Sequence, residues 1–63
     1  MTQKELLYLE DAIEHEKSIV KILEEGLNKI EDENLITFIQ NKIESHNSTK
    51  ENLINMLEEK TNE

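Results

Sequence analysis

The sequence predicts an all-α fold, an antiparallel two-helix hairpin, from three observations on its core-type positions. In each half of the chain these positions recur at alternating spacings of three and four, which is typical of a helix with one buried face. They are Leu6, Leu9, Ile13, Glu16, Val20, Leu23 and Leu27 in the first half, and Ile36, Ile39, Ile43, His46, Lys50, Leu53 and Leu57 in the second. If the chain reverses near residue 31, one register pairs the two sets, from Leu6 with Leu57 to Leu27 with Ile36. In that register Glu16, which interrupts the first set, faces His46, which interrupts the second.

Local signals place the two helices and the turn within a single domain covering residues 1–63. Thr2 followed by Glu5 matches a capping box, so the first helix is expected over about residues 3–30. The polar run 31–34 predicts a turn at about 31–33. Asp32 is the expected N-cap of the second helix, which is expected over about residues 34–60.

Gly26 is the one residue that conflicts with this helical pattern. A glycine inside a helix costs roughly 1 kcal/mol relative to alanine. It allows two interpretations: an early C-cap with the turn beginning near Leu27, or a helix that continues through it. We favour the continuing helix because Leu27 and Ile30 still follow the apolar spacing.

A second set of residues lies beside the core positions of each helix, at about 100° of rotation per residue. We call this set the flanking face. It comprises Tyr8, Ala12, His15, Ile19, Ile22 and Gly26 on the first helix, and Leu35, Phe38, Thr49 and Met56 on the second. A lone hairpin would leave it in water, and two short helices bury little apolar area. The pattern therefore predicts a homodimer that forms a four-helix bundle, against a marginal monomer or half of a hetero-assembly.

The composition argues against several classes of partner. The chain has 15 Asp and Glu, 7 Lys and Arg, and a net charge of −8, which phosphate backbones and anionic lipids repel. No nucleic acid partner is therefore expected. No apolar run approaches the roughly 18 residues that span a bilayer, so no membrane insertion is expected either. The N-terminus lacks the pattern of a signal peptide, and the chain has no cysteine, so we expect a protein made and kept inside the cell.

Glu16, His46 and Lys50 form a predicted polar layer in the middle of the apolar core. A carboxylate in that position must find a partner, protonate or bind a cation. We favour an ion-pair layer that sets the register of the helices. The alternative is a metal site, in which a dimer would bring together two copies each of Glu16 and His46.

The residues around this layer weaken the metal alternative. A di-iron bundle places a glutamate three residues before each ligating histidine. Here Ile43 stands three before His46, and Ala12 stands three before His15. We therefore predict no metal and no other cofactor. The serines form no nucleophilic triad and the chain has no glycine-rich loop, so we predict that the protein is not an enzyme.

Several short segments resemble the Coat F family, small spore coat proteins of endospore-forming Firmicutes. Residues 6–17, Leu-Leu-Tyr-Leu-Glu-Asp-Ala-Ile-Glu-His-Glu-Lys, resemble the first helix of that family, with its Asp-Ala-Leu-x-His-Glu-like segment. Residues 31–35 stand where members carry Asp-Pro-x-Leu. Residues 43–46 stand where members place a helix-two histidine, before a leucine-rich end that corresponds to residues 53–57. The resemblance covers about residues 4–58.

The resemblance implies a ferritin-like helical hairpin that assembles into a bundle and acts as a structural coat component without enzymatic activity. It implies synthesis in the mother cell cytoplasm, deposition in the spore coat and other coat proteins as partners. The chain departs from the family pattern in two places. It lacks the turn proline, and Thr49 and Lys50 stand where a second histidine would follow His46.

Two other classes share the helical hairpin architecture. One is the short two-helix regulators of sporulation phosphorelays, whose Ser-Gln-Glu-Leu-Asp signature is replaced here by Ser-Thr-Lys-Glu-Asn at residues 48–52. The other is an adaptor whose flanking face binds the helices of a different protein. An adaptor purified alone would be monomeric or weakly self-associating, so stoichiometry separates it from the homodimer.

Overall fold

The computed structural model contains two α-helices that pack against each other, α1 (Gln3–Leu27) and α2 (Glu33–Thr61). The structure describes residues 1–61, with Thr61 described by its backbone alone. Asn62 and Glu63, the end of the predicted 1–63 domain, lie outside the described residues. The described part of the chain contains no β-strand. The predicted all-α helical hairpin is confirmed at this level.

The start of α1 is closed by the predicted capping box. The Thr2 hydroxyl accepts a hydrogen bond from the Glu5 backbone N–H at 3.1 Å, and the Glu5 carboxylate accepts one from the Thr2 N–H at 2.7 Å. Each side chain thus satisfies a backbone donor that the first helical turn leaves without a partner. The helix begins where the sequence predicted because this signal is entirely local.

The end of α1 differs from the prediction. The helix ends at Leu27, and the continuation to about Ile30 is wrong. After Gly26 the chain tightens into a turn in which the Lys29 N–H donates to the Gly26 carbonyl at 2.9 Å. Ile30 lies after the helix but is half-buried, which explains why an apolar residue at this position continues the spacing of the helix. An apolar spacing reports burial, and a turn residue can be buried without being helical.

α2 begins at Glu33, one residue before the predicted start. A carboxylate oxygen of Asp32 accepts a hydrogen bond from the Leu35 N–H at 2.9 Å. The Asp32 carbonyl accepts the helical bond from the Ile36 N–H, also at 2.9 Å. Asp32 is therefore the N-cap that the sequence predicted, and Glu33 places a negative charge in the first turn, where the helix dipole favours it.

The core between the helices is one residue layer thick. None of the fourteen predicted core positions is exposed, but in the described chain only Ile13 and Val20 are buried, with 5% and 8% of their surface accessible. The hairpin measures 47 × 14 × 11 Å between Cα atoms. A rod of this shape has enough depth to bury only residues near the middle of the contact between the helices. Large apolar side chains outside the core positions consequently stay in water.

Candidate functional site

The structure brings Glu16 of α1 and His46 of α2 together in the middle of the hairpin. Their atoms Oε2 and Nδ1 lie 2.6 Å apart, although the residues are 30 positions apart in the sequence. The predicted register places the same two residues opposite each other. In the tautomer that carries a proton on Nδ1, the imidazole donates this hydrogen bond to the Glu16 carboxylate.

This pair lies where the side chains of the hairpin are least accessible to solvent. The side chain of Glu16 is 17% exposed and that of His46 is 32% exposed. Along α1, Glu16 lies between Ile13 and Val20, the two buried residues. Partial exclusion of water strengthens a hydrogen bond and raises the cost of leaving either group unpaired. His46 is therefore the partner that the Glu16 carboxylate requires.

Lys50, the third residue of the predicted polar layer, does not join this contact. It is half-buried one helical turn after His46. Within the described chain, no carboxylate lies close enough to Lys50 to form an ion pair. Partial burial of this kind is common for lysine, whose aliphatic stem can cover apolar surface while the ammonium stays hydrated.

A single copy of the chain does not assemble a metal-binding cluster. Among the described residues, no three His, Asp or Glu side chains converge on one point. His15 is exposed and lies on the flanking face, away from the Glu16–His46 pair. The metal alternative considered from the sequence thus needs ligands from a second copy.

Most large side chains of the flanking face are exposed on the hairpin, although Ile19 is half-buried. Tyr8 is 61% accessible and Ile22 is 65% accessible, and Leu35, Phe38 and Met56 are also exposed. The face lies about 100° from the core positions in the same rotational sense on both helices. Because the helices are antiparallel, equal rotations on the two helices point to the same side of the hairpin. The exposed residues therefore form one surface along its length.

From Tyr8 to Gly26 on α1 and from Leu35 to Met56 on α2, this surface carries no acidic residue. The same spacing that defines the face on α2 also includes Lys42, Ser45 and Asn52, so the face alternates apolar and neutral residues with one lysine. Acidic residues continue the spacing only beyond this stretch, at Glu5 and Glu59. The Lys42 ammonium lies 5.4 Å from the centre of the Phe38 ring, within the range of a cation–π contact. The sequence interpretation missed Lys42, although its spacing of four from Phe38 was a usable signal.

The opposite side of the hairpin is charged. Glu10, Glu14 and Lys17 of α1 line a shallow groove there together with Ile54 and Leu57 of α2. Lys17 and Glu14 form an exposed ion pair at 3.3 Å. The molecule consequently has one side with exposed apolar residues and few charges, and one hydrated, charged side.

Gly26 lies on the flanking face close to the end of α1. A Cβ atom added at this position would meet nothing within 4 Å apart from neighbouring residues and its own helix backbone. No glycine in the described chain has a positive φ. Neither the packing nor the backbone of a single hairpin therefore requires glycine at position 26.

No described helix combines the length and the apolar character of a bilayer-spanning segment. Comparison of the chain with protein-family models, with curated proteins and with solved structures gave no match.

Proposed function

We propose that this chain is a non-enzymatic structural protein that self-associates through its flanking face, in the manner of the small spore coat proteins that it resembles. The observation that carries the proposal is the flanking face itself. Large apolar side chains are exposed along one side of the hairpin, on a chain whose net charge is −8. Exposed apolar patches of this kind are typical of interaction sites.

A second copy of the same chain is the occupant that the charge distribution favours. Two copies can meet through the stretch of the face without acidic residues while their other carboxylates stay in water. At 1.5 Å per residue this stretch runs about 27 Å along α1 and about 32 Å along α2. Because the opposite side is charged, association closes at two copies and forms a four-helix bundle.

Sedimentation equilibrium of the purified chain tests this proposal. The expected mass is twice the 7.4 kDa of one copy. Ile22→Glu places a carboxylate in the centre of an apolar contact and should give a monomer. Leu7→Glu is the matched control, because Leu7 is an exposed apolar residue outside the flanking face. A monomeric parent chain would contradict the proposal and favour the adaptor alternative.

The role in the spore coat rests on the resemblance of residues 6–17, 31–35 and 43–46 to the Coat F family. It is tested by producing the tagged chain in the mother cell of a sporulating Firmicute and fractionating the spores. We expect the chain in the coat fraction, together with other coat proteins. The Ile22→Glu variant should remain in the mother cell cytoplasm. Recovery of the parent chain from the cytoplasm alone would contradict the coat role without affecting the dimer.

A second candidate function, metal binding by a half-ferritin-like dimer, is favoured by the Glu16–His46 contact. Metal-ligating histidines commonly donate their other ring N–H to a carboxylate. Here Nδ1 makes that contact, and in the described chain nothing hydrogen-bonds to Nε2 of His46. Native mass spectrometry with one equivalent of Zn²⁺ or Fe²⁺ tests this candidate. Uptake that is lost in Glu16→Ala would support it, and a metal-free dimer would contradict it.

A further inference from the structure

We propose that the two copies pair antiparallel, with α1 packed on α1 and α2 on α2, and that the gap at Gly26 receives Tyr8 of the second copy. This inference rests on the proposed dimer and specifies its geometry. Two closed face-to-face arrangements are available to a hairpin. A two-fold axis along the hairpin places the turns at the same end and stacks α1 on α2 of the second copy. An axis across the hairpin places the turns at opposite ends and stacks like helices.

The heights of residues along the rod follow from the core register. The Glu16–His46 contact is the central layer, with Leu6–Leu57 at one end and Leu27–Ile36 at the other. Each residue of the flanking face therefore has a known level relative to that contact. A two-fold axis that crosses the hairpin at the central layer inverts the second copy along the rod. A residue above the central layer in one copy then faces residues that lie equally far below it in the second copy.

The distribution of polar residues on the flanking face favours the antiparallel arrangement. On α2 the face is apolar at both ends and polar in the middle, where it carries Lys42, Ser45, Thr49 and Asn52. Antiparallel stacking of α2 on α2 places this polar middle against its own copy and places the Phe38 end against the Met56 end. The polar groups then keep polar partners, and no side chain loses water without replacement.

The parallel arrangement mismatches the same residues. It would place Ile19 and Ile22 of α1 at the level of Lys42 and Ser45 of the second copy. A lysine surrounded by two isoleucines loses hydration and gains no partner, whereas in the antiparallel arrangement Ile19 and Ile22 meet Ala12 of the second copy. Mismatches of this kind are how an interface rejects a competing orientation.

Gly26 and Tyr8 complete the fit of the antiparallel arrangement. They lie at nearly equal distances on opposite sides of the central layer, so the two-fold axis brings them face to face. Tyr8 is the largest side chain on the α1 face and is 61% exposed, whereas an added Cβ at Gly26 would point into open space. A glycine that the hairpin does not itself require thus gains a role, because its missing side chain makes room for the aromatic ring.

Single-cysteine variants test the orientation, because the chain contains no native cysteine. His15 lies next to the proposed two-fold axis, so His15→Cys should oxidise to a disulfide-linked dimer. Ser18→Cys, on the outward face of the same helix, is the matched control. The two thiols at position 15 are held at millimolar effective concentration, so they should react roughly a thousandfold faster than those at position 18 in a micromolar solution.

A mixture of two variants tests the Gly26 contact directly. Tyr8→Cys and Gly26→Cys should each stay largely uncrosslinked alone and should form a mixed disulfide when combined. A mixed disulfide between His15→Cys and Thr49→Cys, with none from His15→Cys alone, would identify the parallel arrangement and overturn the inference. Sedimentation of the parent chain separates this failure from that of the dimer proposal, because only the latter yields a monomer.

Discussion

A carboxylate and an imidazole that lie 2.6 Å apart between two helices limit how those helices can slide past each other. A slip of one helical turn would bring Glu16 level with Ile43 or Lys50 instead of His46. The first alternative strands the carboxylate against a branched apolar side chain, which costs about 1–3 kcal/mol. The apolar layers on either side tolerate such a slip better, because one aliphatic residue replaces another. We therefore expect the polar pair to set the register and the apolar layers to supply most of the stabilisation.

Replacing His46 leaves the Glu16 carboxylate without its partner. We expect His46→Ala to lower the free energy of unfolding by about 1–3 kcal/mol, because a mostly buried acceptor loses its hydrogen bond. Urea denaturation followed by circular dichroism measures this change. The control is Lys17→Ala, which breaks the exposed Glu14–Lys17 pair and should change stability by less than about 0.5 kcal/mol. Equal stability of His46→Ala and the parent would contradict a structural role for the pair.

Replacing Glu16 by an apolar residue of similar size has the opposite expected sign. Glu16→Leu removes the charge that needs a partner and extends the apolar layer between Ile13 and Val20. Buried ion pairs replaced by apolar residues often leave stability equal or higher by about 1–4 kcal/mol. The thermal midpoint of Glu16→Leu should therefore equal or exceed that of the parent. A lower midpoint would show that the pair stabilises the hairpin beyond fixing its register.

At the scale of the helix, the capping box links the start of α1 to pH. The backbone N–H of Thr2, and secondarily its side chain, hydrogen-bond to Glu5 and hold the pKa of that carboxyl below its ordinary value of 4.5. The folded-state pKa lies below the unfolded one, so the cap contributes fully above about pH 4.5 and is lost as the pH falls through the lowered value. NMR shifts of the Thr2 and Glu5 amides should follow this loss. In Glu5→Gln, whose side chain does not titrate, the acid transition of these shifts should disappear.

Gly26 offers a test in which helix propensity and association oppose each other. Alanine fits at this position in a single hairpin, since nothing lies within 4 Å of an added Cβ, and it should stabilise α1 by roughly 0.5 kcal/mol. In the proposed dimer the added methyl group narrows the space for Tyr8 of the second copy. At concentrations where the chain is monomeric, Gly26→Ala should therefore have a higher thermal midpoint than the parent. Its dimer dissociation constant should be larger. Tighter dimerisation would mean that position 26 lies outside the interface.

The two ends of the helices show which local features a sequence specifies. The side chains of Thr2 and Asp32 each accept a hydrogen bond from the backbone N–H three residues later. Both caps could therefore be identified from the spacing of the residues alone. The end of α1 was misplaced because Leu27 and Ile30 continue an apolar pattern across a turn. The helix ends at Leu27 because the chain reverses there, in a turn closed by the hydrogen bond from Lys29 to Gly26. Where the chain reverses depends on how the second helix packs.

For the whole molecule, a net charge of −8 per copy makes association depend on salt. Two acidic copies repel each other at long range, and the Debye length falls from about 30 Å at 0.01 M to about 8 Å at 0.15 M ionic strength. The dimer dissociation constant should therefore decrease as sodium chloride rises over this range. Sedimentation equilibrium at several salt concentrations measures it. A dissociation constant that increases with salt would mean that charge pairs form across the interface, and would contradict this prediction.

The spacing of the residues was enough to predict the two helices, their antiparallel register and the meeting of Glu16 with His46. The reason is that one register aligns seven core positions of each helix, and five of the seven layers pair apolar residues. Only the tertiary structure decided that α1 stops at Leu27 and that His46, not Lys50, contacts Glu16. It also decided that Gly26 borders open space. These features depend on distances between side chains of different segments, and such distances exist only once the two helices have packed.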